Sequence, residues 1–364
     1  MRYQNVFKYS LQFIIIFFLT YSVTDAQRAP VDIQKEYIKS AKKIRIKYEH
    51  NAFKLNPSKA GHMGLRLWRN YRNDKYEYLL LQGINHTASA LDKLVANGLD
   101  KRSLDAYVDK KNKKYNANTK KKKKRKNTFS KYPNYRLMGT KILRHVARLD
   151  ELGLRHEKHD EFMRLINSYD FKKAFTDPLM IKAWGAQLAN QVYWLHNLGV
   201  ADYRAEFKQA VTMTYPAAKD NKLSKQQFEN KIYTLTHIII AASGYYQHQV
   251  EYEEYRQIID YLRSNTDLII EKVKEDIIIE VGLSFLLVNE SYQDINIIRN
   301  YIHSKVDSKK KMVLSENGNA KVSQGEHRNI IAVLLLDWKG CSSKPTSKDI
   351  EGLNGLLVKS LVKK

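Results

Sequence analysis

An all-α fold built from about six helical hairpins is what this 364-residue chain predicts. Apolar residues recur at helical spacing in most segments, while the alternation of a half-buried strand is scarce. The helical stretches come in pairs, punctuated by Gly, Pro or Asn. The more apolar member of each pair also carries one polar residue near its start or middle: His86, His145, Gln187, His237, Glu280 and His327, spaced 42 to 59 residues apart. A repeat of this length implies units that bury their faces against their neighbours.

Taken in order, Val31 to Leu55 reads as a long first helix ended by Asn56-Pro57, and Asp74 to Ala96 as the next, stopped by Asn97-Gly98. Leu99 to Lys114 is its polar partner. Tyr135 to Leu152 and Arg155 to Tyr169 form a pair around Gly153. Asp177 to Leu198 opens on Asp-Pro, an aspartate to cap and a proline suited to the first turn. Ala201 to Thr214 follows it. The remaining pairs are Ser224 to Gln249 with Glu251 to Lys274, Asp276 to Asn289 with Tyr292 to Ser304, and Gln324 to Trp338 with Ile350 to Val362. Segments such as IIIEVGLSFLLV are apolar on nearly every side, which suits a helix surrounded by others. The expected architecture is therefore a closed α/α toroid, with an open helical solenoid as the alternative.

Met1 to Gln12 carries Arg2 and Lys8, Phe13 to Val23 is apolar and aromatic, and Thr24-Asp25-Ala26 offers small residues for cleavage after Ala26. Residues 1–26 thus read as a signal peptide, and 27–364 as one exported domain, periplasmic or extracellular. No later segment is apolar enough to span a membrane. Cys341 is the only cysteine, so no intramolecular disulfide forms and packing must supply the stability.

The formal charge of +25 calls for an anionic partner. Export removes the nuclear and ribosomal readings, so no specific nucleic acid is expected; an anionic polysaccharide or envelope polyanion is. Residues 110–126 hold eleven positive charges and no negative ones, a block that repels itself and is expected to be a disordered insertion. Lys120, Lys121, Lys122, Lys123, Lys124, Arg125 and Lys126 are its candidate polyanion-binding residues. A second flexible excursion, suited to a lid, is expected from Val306 to Ser323.

In a closed ring, His237, Glu280, Glu326 and His327 would converge from three successive inner helices; they are the candidate catalytic residues. A hydrogen-bonded core role competes with catalysis for each. A glycosidase would pair Glu280 with Asp276, Glu326 or Asp177 across a sugar. A polysaccharide lyase needs a histidine or tyrosine base and groups that neutralise a uronate, for which His237, Tyr233, Tyr245 and Arg328 are the right types. A zinc site on His237, Glu280 and His327 lacks any diagnostic spacing, so no metal and no cofactor is expected. His156-Glu157-Lys158-His159 is one residue short of the zinc-protease pattern and reads as a charged surface turn.

YTLTHIIIAASGYYQ, DIIIEVGLSFLL and GEHRNIIAVLLLDW together resemble an uncharacterised family of exported bacterial all-helical proteins, a domain of unknown function. That resemblance implies a bacterial protein with a signal peptide and brings no activity. More distantly, the Thr-His of the first motif is similar to that of terpenoid-cyclase and glycosidase-type α/α toroids, without the metal-binding cysteine of their metal-dependent members. The function expected is carbohydrate-active, a glycosidase or polysaccharide lyase on an anionic glycan. The alternative is a non-catalytic envelope protein that binds polyanions or a partner protein.

Overall fold

The computed structural model describes residues 31–288, 293–350 and 353–364. The signal segment lies outside them. The described chain is mostly helical, as expected. Its helices are α1 (Val31–His50), α2 (Pro57–Tyr71), α3 (Glu77–Val95), α4 (Lys101–Lys113), α5 (Lys120–Lys126) and α6 (Tyr135–Leu137). A π-helical stretch, Met138–Leu143, joins α6 to α7 (Arg144–Glu151). After these come α8 (His159–Ser168), α9 (Phe171–Thr176), α10 (Pro178–Asn197), α11 (Arg204–Thr214), α12 (Lys225–Ala242), α13 (Tyr252–Ser264) and α14 (Thr266–Lys272). The last are α15 (Glu275–Leu287), α16 (Gln293–Ser304), α17 (Val322–Leu336) and α18 (Leu353–Leu356).

Local chemistry sets the starts of these helices. Asp177 accepts from the Leu179 amide at 2.7 Å with Pro178 at the first turn, and Ser224 with Gln227 forms a reciprocal capping box. The same logic opens α2, which the sequence reading passes over. Asn56 accepts from the Lys59 amide at 3.0 Å and Pro57 fills the first turn, so the pair that ends one helix also begins the next.

Packing runs α2 on α3, α3 on α7, α7 on α10, α10 on α12, α12 on α15 and α15 on α17, and α17 returns to α2. Helices α1, α11, α13 and α16 lie against this cycle from outside, on α17, α10, α12 and α15 respectively. The cycle is held by burial. Every residue from Ile277 to Phe285 of α15 and from Asn329 to Leu336 of α17 is buried; each such aliphatic side chain stabilises the fold by roughly 1.5–3 kcal/mol relative to exposure. The α2–α3 seam is closest of all: a Cβ on Gly61 would sit 2.4 Å from the Gly83 Cα, so the two backbones touch.

Several segments differ from the sequence reading. Helix α12 stops at Ala242, and Gly244, Tyr245 and Tyr246 follow with φ of 60°, 58° and 75°, a run in the left-handed region that non-glycine residues rarely enter. The C-terminal stretch is not one helix: past α18 it forms β4 (Leu361–Lys363), antiparallel to β1 (Leu154–His156). His156 in β1 is buried against Asp92 rather than lying on a surface turn. In the Val306–Ser323 excursion, β2 (Val306–Asp307) pairs with β3 (Met312–Val313), whose side chains are fully buried. Asn329 ties Val313 by two hydrogen bonds, so this part of the loop is anchored to α17.

Where self-repulsion predicts disorder across residues 110–126, the structure holds the end of α4 and helix α5. Thr119 caps α5 through the Lys122 amide at 3.2 Å. Arg125 lies 4.1 Å over the Trp184 ring, and donates to Ala183 O at 3.1 Å and Gln187 Oε1 at 2.7 Å. One well-made guanidinium anchor offsets repulsion that water and salt already weaken.

Candidate functional site

A recessed cavity of about 380 Å³ opens among α2, the π-helical stretch with α7, α10, α12 and α17. Each helix contributes one face. Gln187, Asn190, Gln191 and Trp194 come from one side of α10, Tyr233 and His237 from one turn of α12, and Arg144 and Arg148 from one turn of α7. The α2 face supplies Ser58, Lys59, His62 and Arg66, and α17 supplies Glu326 and His327. The irregular turn after α12 adds Tyr245, stacked 6.5 Å from Trp194 with Arg148 5.2 Å over its ring. The π-helical stretch places Gly139 against Gln191, where a Cβ would meet the Gln191 amide at 2.7 Å. A smaller hollow of about 70 Å³ adjoins, sharing Ser58, His62, Arg144 and Arg148 and lined further by His86 and His145.

Of the sequence candidates, His237, Glu280, Glu326 and His327 do come together, and two carboxylates hold three imidazoles there. Glu280 is 1% exposed behind the cavity wall. It accepts from His327 Nε2–H at 3.2 Å and Thr236 Oγ1–H at 2.9 Å, with His237 Nε2 at 3.6 Å. His237 Nδ1 lies 3.0 Å from Asn190 Oδ1. The second pair was not foreseen: His62 Nδ1–H donates to Glu326 Oε1 at 2.9 Å, and the His62 ring is 5.4 Å from that of His327.

The charge state follows from burial and pairing. Burial tends to raise the pKa of Glu280, but His237, His327 and Thr236 outweigh it and hold the carboxyl below its ordinary value. Glu326 behaves alike, with burial opposed by His62 and the charge of Arg66. Burial pushes His237 down to about 4 and His62 to about 3. At neutral pH His237 and His62 are therefore neutral imidazoles beside carboxylates. A neutral His62 whose Nδ1–H serves Glu326 keeps its lone pair on Nε2. Burial raises Tyr233 and Tyr245, so both phenols keep their protons.

Other candidates lie elsewhere. Arg328 donates through Nε to Val313 O at 3.2 Å, and it does not line the cavity. Asp177 caps α10 and accepts from Tyr132 at 2.8 Å. Within α5, Lys121 reaches the cavity wall, 5.2 Å over Tyr233, and Arg125 binds Gln187; Lys120, Lys123 and Lys126 point to solvent, and Lys122 and Lys124 are half-buried. Among the described residues no group of three His, Cys, Asp or Glu side chains is set to hold a metal ion. No described helix is long and apolar enough to cross a membrane. The sequence reading missed His62 and Arg66 because it missed α2. Their signal was the Asn56-Pro57 start, followed by His62, Arg66 and Arg69 at i, i+4 and i+7 on one helical face.

Fold and cavity together define an all-α protein whose helices surround a recessed, cation-rich site with two carboxylate–imidazole pairs. Residues 37–364 match the family described as "Domain of unknown function (DUF3541)", and the chain belongs to that family. No curated protein and no solved structure matches it.

Proposed function

We propose that this chain is an exported bacterial polysaccharide lyase, cleaving an anionic, uronate-containing glycan by β-elimination in the cavity. The cyclic packing order supports reading the fold as an α/α toroid with the cavity at one end of its inner helices. The apolar, cation-flanked Phe13 to Val23 supports export.

One observation carries the choice of reaction. The two cavity-side carboxylates, Glu280 and Glu326, are buried, engaged and held charged, while histidines and tyrosines face the open volume. A glycosidase needs one carboxyl that keeps a proton for the leaving group, and neither of these does. A lyase needs none. In the proposed reaction, His62 Nε2 takes the proton from the carbon next to the uronate carboxylate, and Glu326 steadies the imidazolium that forms. That electron pair makes the new C=C bond as the C–O bond at the β carbon breaks. The departing oxygen takes the proton of Tyr245, which His62 restores through solvent after release. No water is consumed and no oxidant is needed. His237, with Asn190, hydrogen-bonds the sugar beside the reacting carbon.

Purified protein is incubated with polygalacturonate, alginate and glucuronate-containing polymers, and ultraviolet absorbance of the unsaturated uronate is followed. At least one polymer should give it, and His62→Gln should lower the rate by about 10² or more, the usual scale for a lost general base. New reducing ends without absorbance would point to hydrolysis instead. Tight binding with no product from any polymer would favour the polyanion-binding alternative, centred on Lys120 to Lys126.

A further inference from the structure

Arg66 is a buried cation that makes no salt bridge among the described residues. It is 7% exposed, its Nε–H has no acceptor, and among the described residues no carboxylate lies within ion-pair distance of its guanidinium. Its near neighbour is the face of Tyr246, 5.7 Å from the ring centroid. Taking such a charge out of water costs several kcal/mol unless an anion is found for it. Two other buried cations each have an anion. Lys231, 4% exposed, holds both oxygens of Asp220 at 2.7 and 2.9 Å, and Arg69, 2% exposed, meets Glu151 at 2.8 Å. Glu326, whose carboxyl feels the charge of Arg66, is already engaged by His62.

Arg66 also lines the cavity. We infer that Arg66 is the anchor for a carboxylate of the ligand, a uronic acid group that enters the cavity and takes the guanidinium as a two-pronged partner. A planar fork matches a planar carboxylate, and no rearrangement of the wall is required to offer it. The inference rests on reading the cavity as an anionic-glycan site. It adds the residue that selects the charge. Neutralising the carboxylate would also acidify the adjacent carbon, so the same contact would serve elimination.

The test separates anchor from scaffold by two readouts on the whole protein. Binding of oligogalacturonate, oligoalginate and a neutral glucan oligomer of equal length is measured by calorimetry for wild type, Arg66→Met and Arg66→Lys, together with each unliganded melting midpoint. Wild type should bind at least one oligouronate and not the neutral oligomer. Arg66→Met should weaken that binding at least about tenfold, the scale of a lost charge-assisted contact, with an unliganded midpoint equal to or above wild type because an uncompensated charge is gone. Arg66→Lys should fall between them. Unchanged uronate affinity in Arg66→Met, a midpoint that drops in both variants while affinity holds, or no oligouronate binding by wild type would each overturn the assignment. Binding that depends on Arg66 in a protein that forms no unsaturated product would leave this inference standing and remove the lyase reading.

Discussion

Arg66 and Arg69 sit three residues apart on α2, both buried, and the fold treats them in opposite ways. Arg69 is sealed into the structure: Nη2 meets Glu151 at 2.8 Å, and Nη1 donates to Tyr245 O at 2.8 Å and to Gly244 O at 3.4 Å, so it fastens the left-handed turn that carries Tyr245. Arg66, almost one turn earlier, faces the cavity with no such partner. Burial alone therefore does not distinguish a structural cation from a binding one. The presence of a satisfied anion does.

The largest expected effect breaks the sealed member. Arg69→Met leaves Glu151 short of one of its two cations and frees the Tyr245 turn; a loss of about 3–5 kcal/mol is expected for breaking a buried pair, read by urea denaturation. A stability equal to that of Arg66→Met would erase the contrast between the two arginines.

Histidine offers a third treatment of a buried ionisable group, which is to discharge it. Burial lowers His145 to about 4, with its Nδ1–H given to Lys141 O at 2.6 Å, and lowers His237 similarly. The unfolded chain takes up these protons near the ordinary value of 6.5, the folded one only near 4. Stability should thus fall as pH drops from 6.5 toward 4, by at most about 3 kcal/mol per histidine, and stop falling on this account below 4. His145→Gln should flatten that slope in melting curves taken across the window. An unaltered slope would mean that the imidazole is charged in the folded state.

The seat of α2 can be tested next. Gly61→Ala drives a methyl into the Gly83 backbone, and since backbone cannot rotate away, α2 and α3 must separate; about 1–3 kcal/mol is the usual cost of such overpacking. Uronate binding should weaken with it, because His62 and Arg66 ride on the same helix. The smallest effect belongs to exposed charge. Lys123→Gln on α5 should change stability by no more than about 0.5 kcal/mol, while measurably reducing affinity for long polyanions at low salt.

These contrasts bear on what could be read in advance. Helix after helix was legible because periodicity and caps are local properties, and His237, Glu280 and His327 were legible as a set because each interrupts an apolar run at a repeating interval, with Glu326 beside His327. The division of labour inside that set was not. Glu280 lies behind the wall and Glu326 is joined to His62, a residue far away in sequence. Arg328 looked as apt as Arg66 by type, yet a turn of helix sends it to the Val313 carbonyl. The lysine run looked unfoldable from its charge, but Arg125 found Trp184 and Gln187 in a later helix.

The sequence by itself determined that the chain is helical, where most helices begin, and which polar residues sit among apolar ones, since these depend on neighbours within a few positions. Only the tertiary structure decided which cation has a partner. Pairing depends on distances of a few ångströms between helices that the chain order leaves unrelated, and that is what separates Arg69, which holds the protein together, from Arg66, which is left for a ligand.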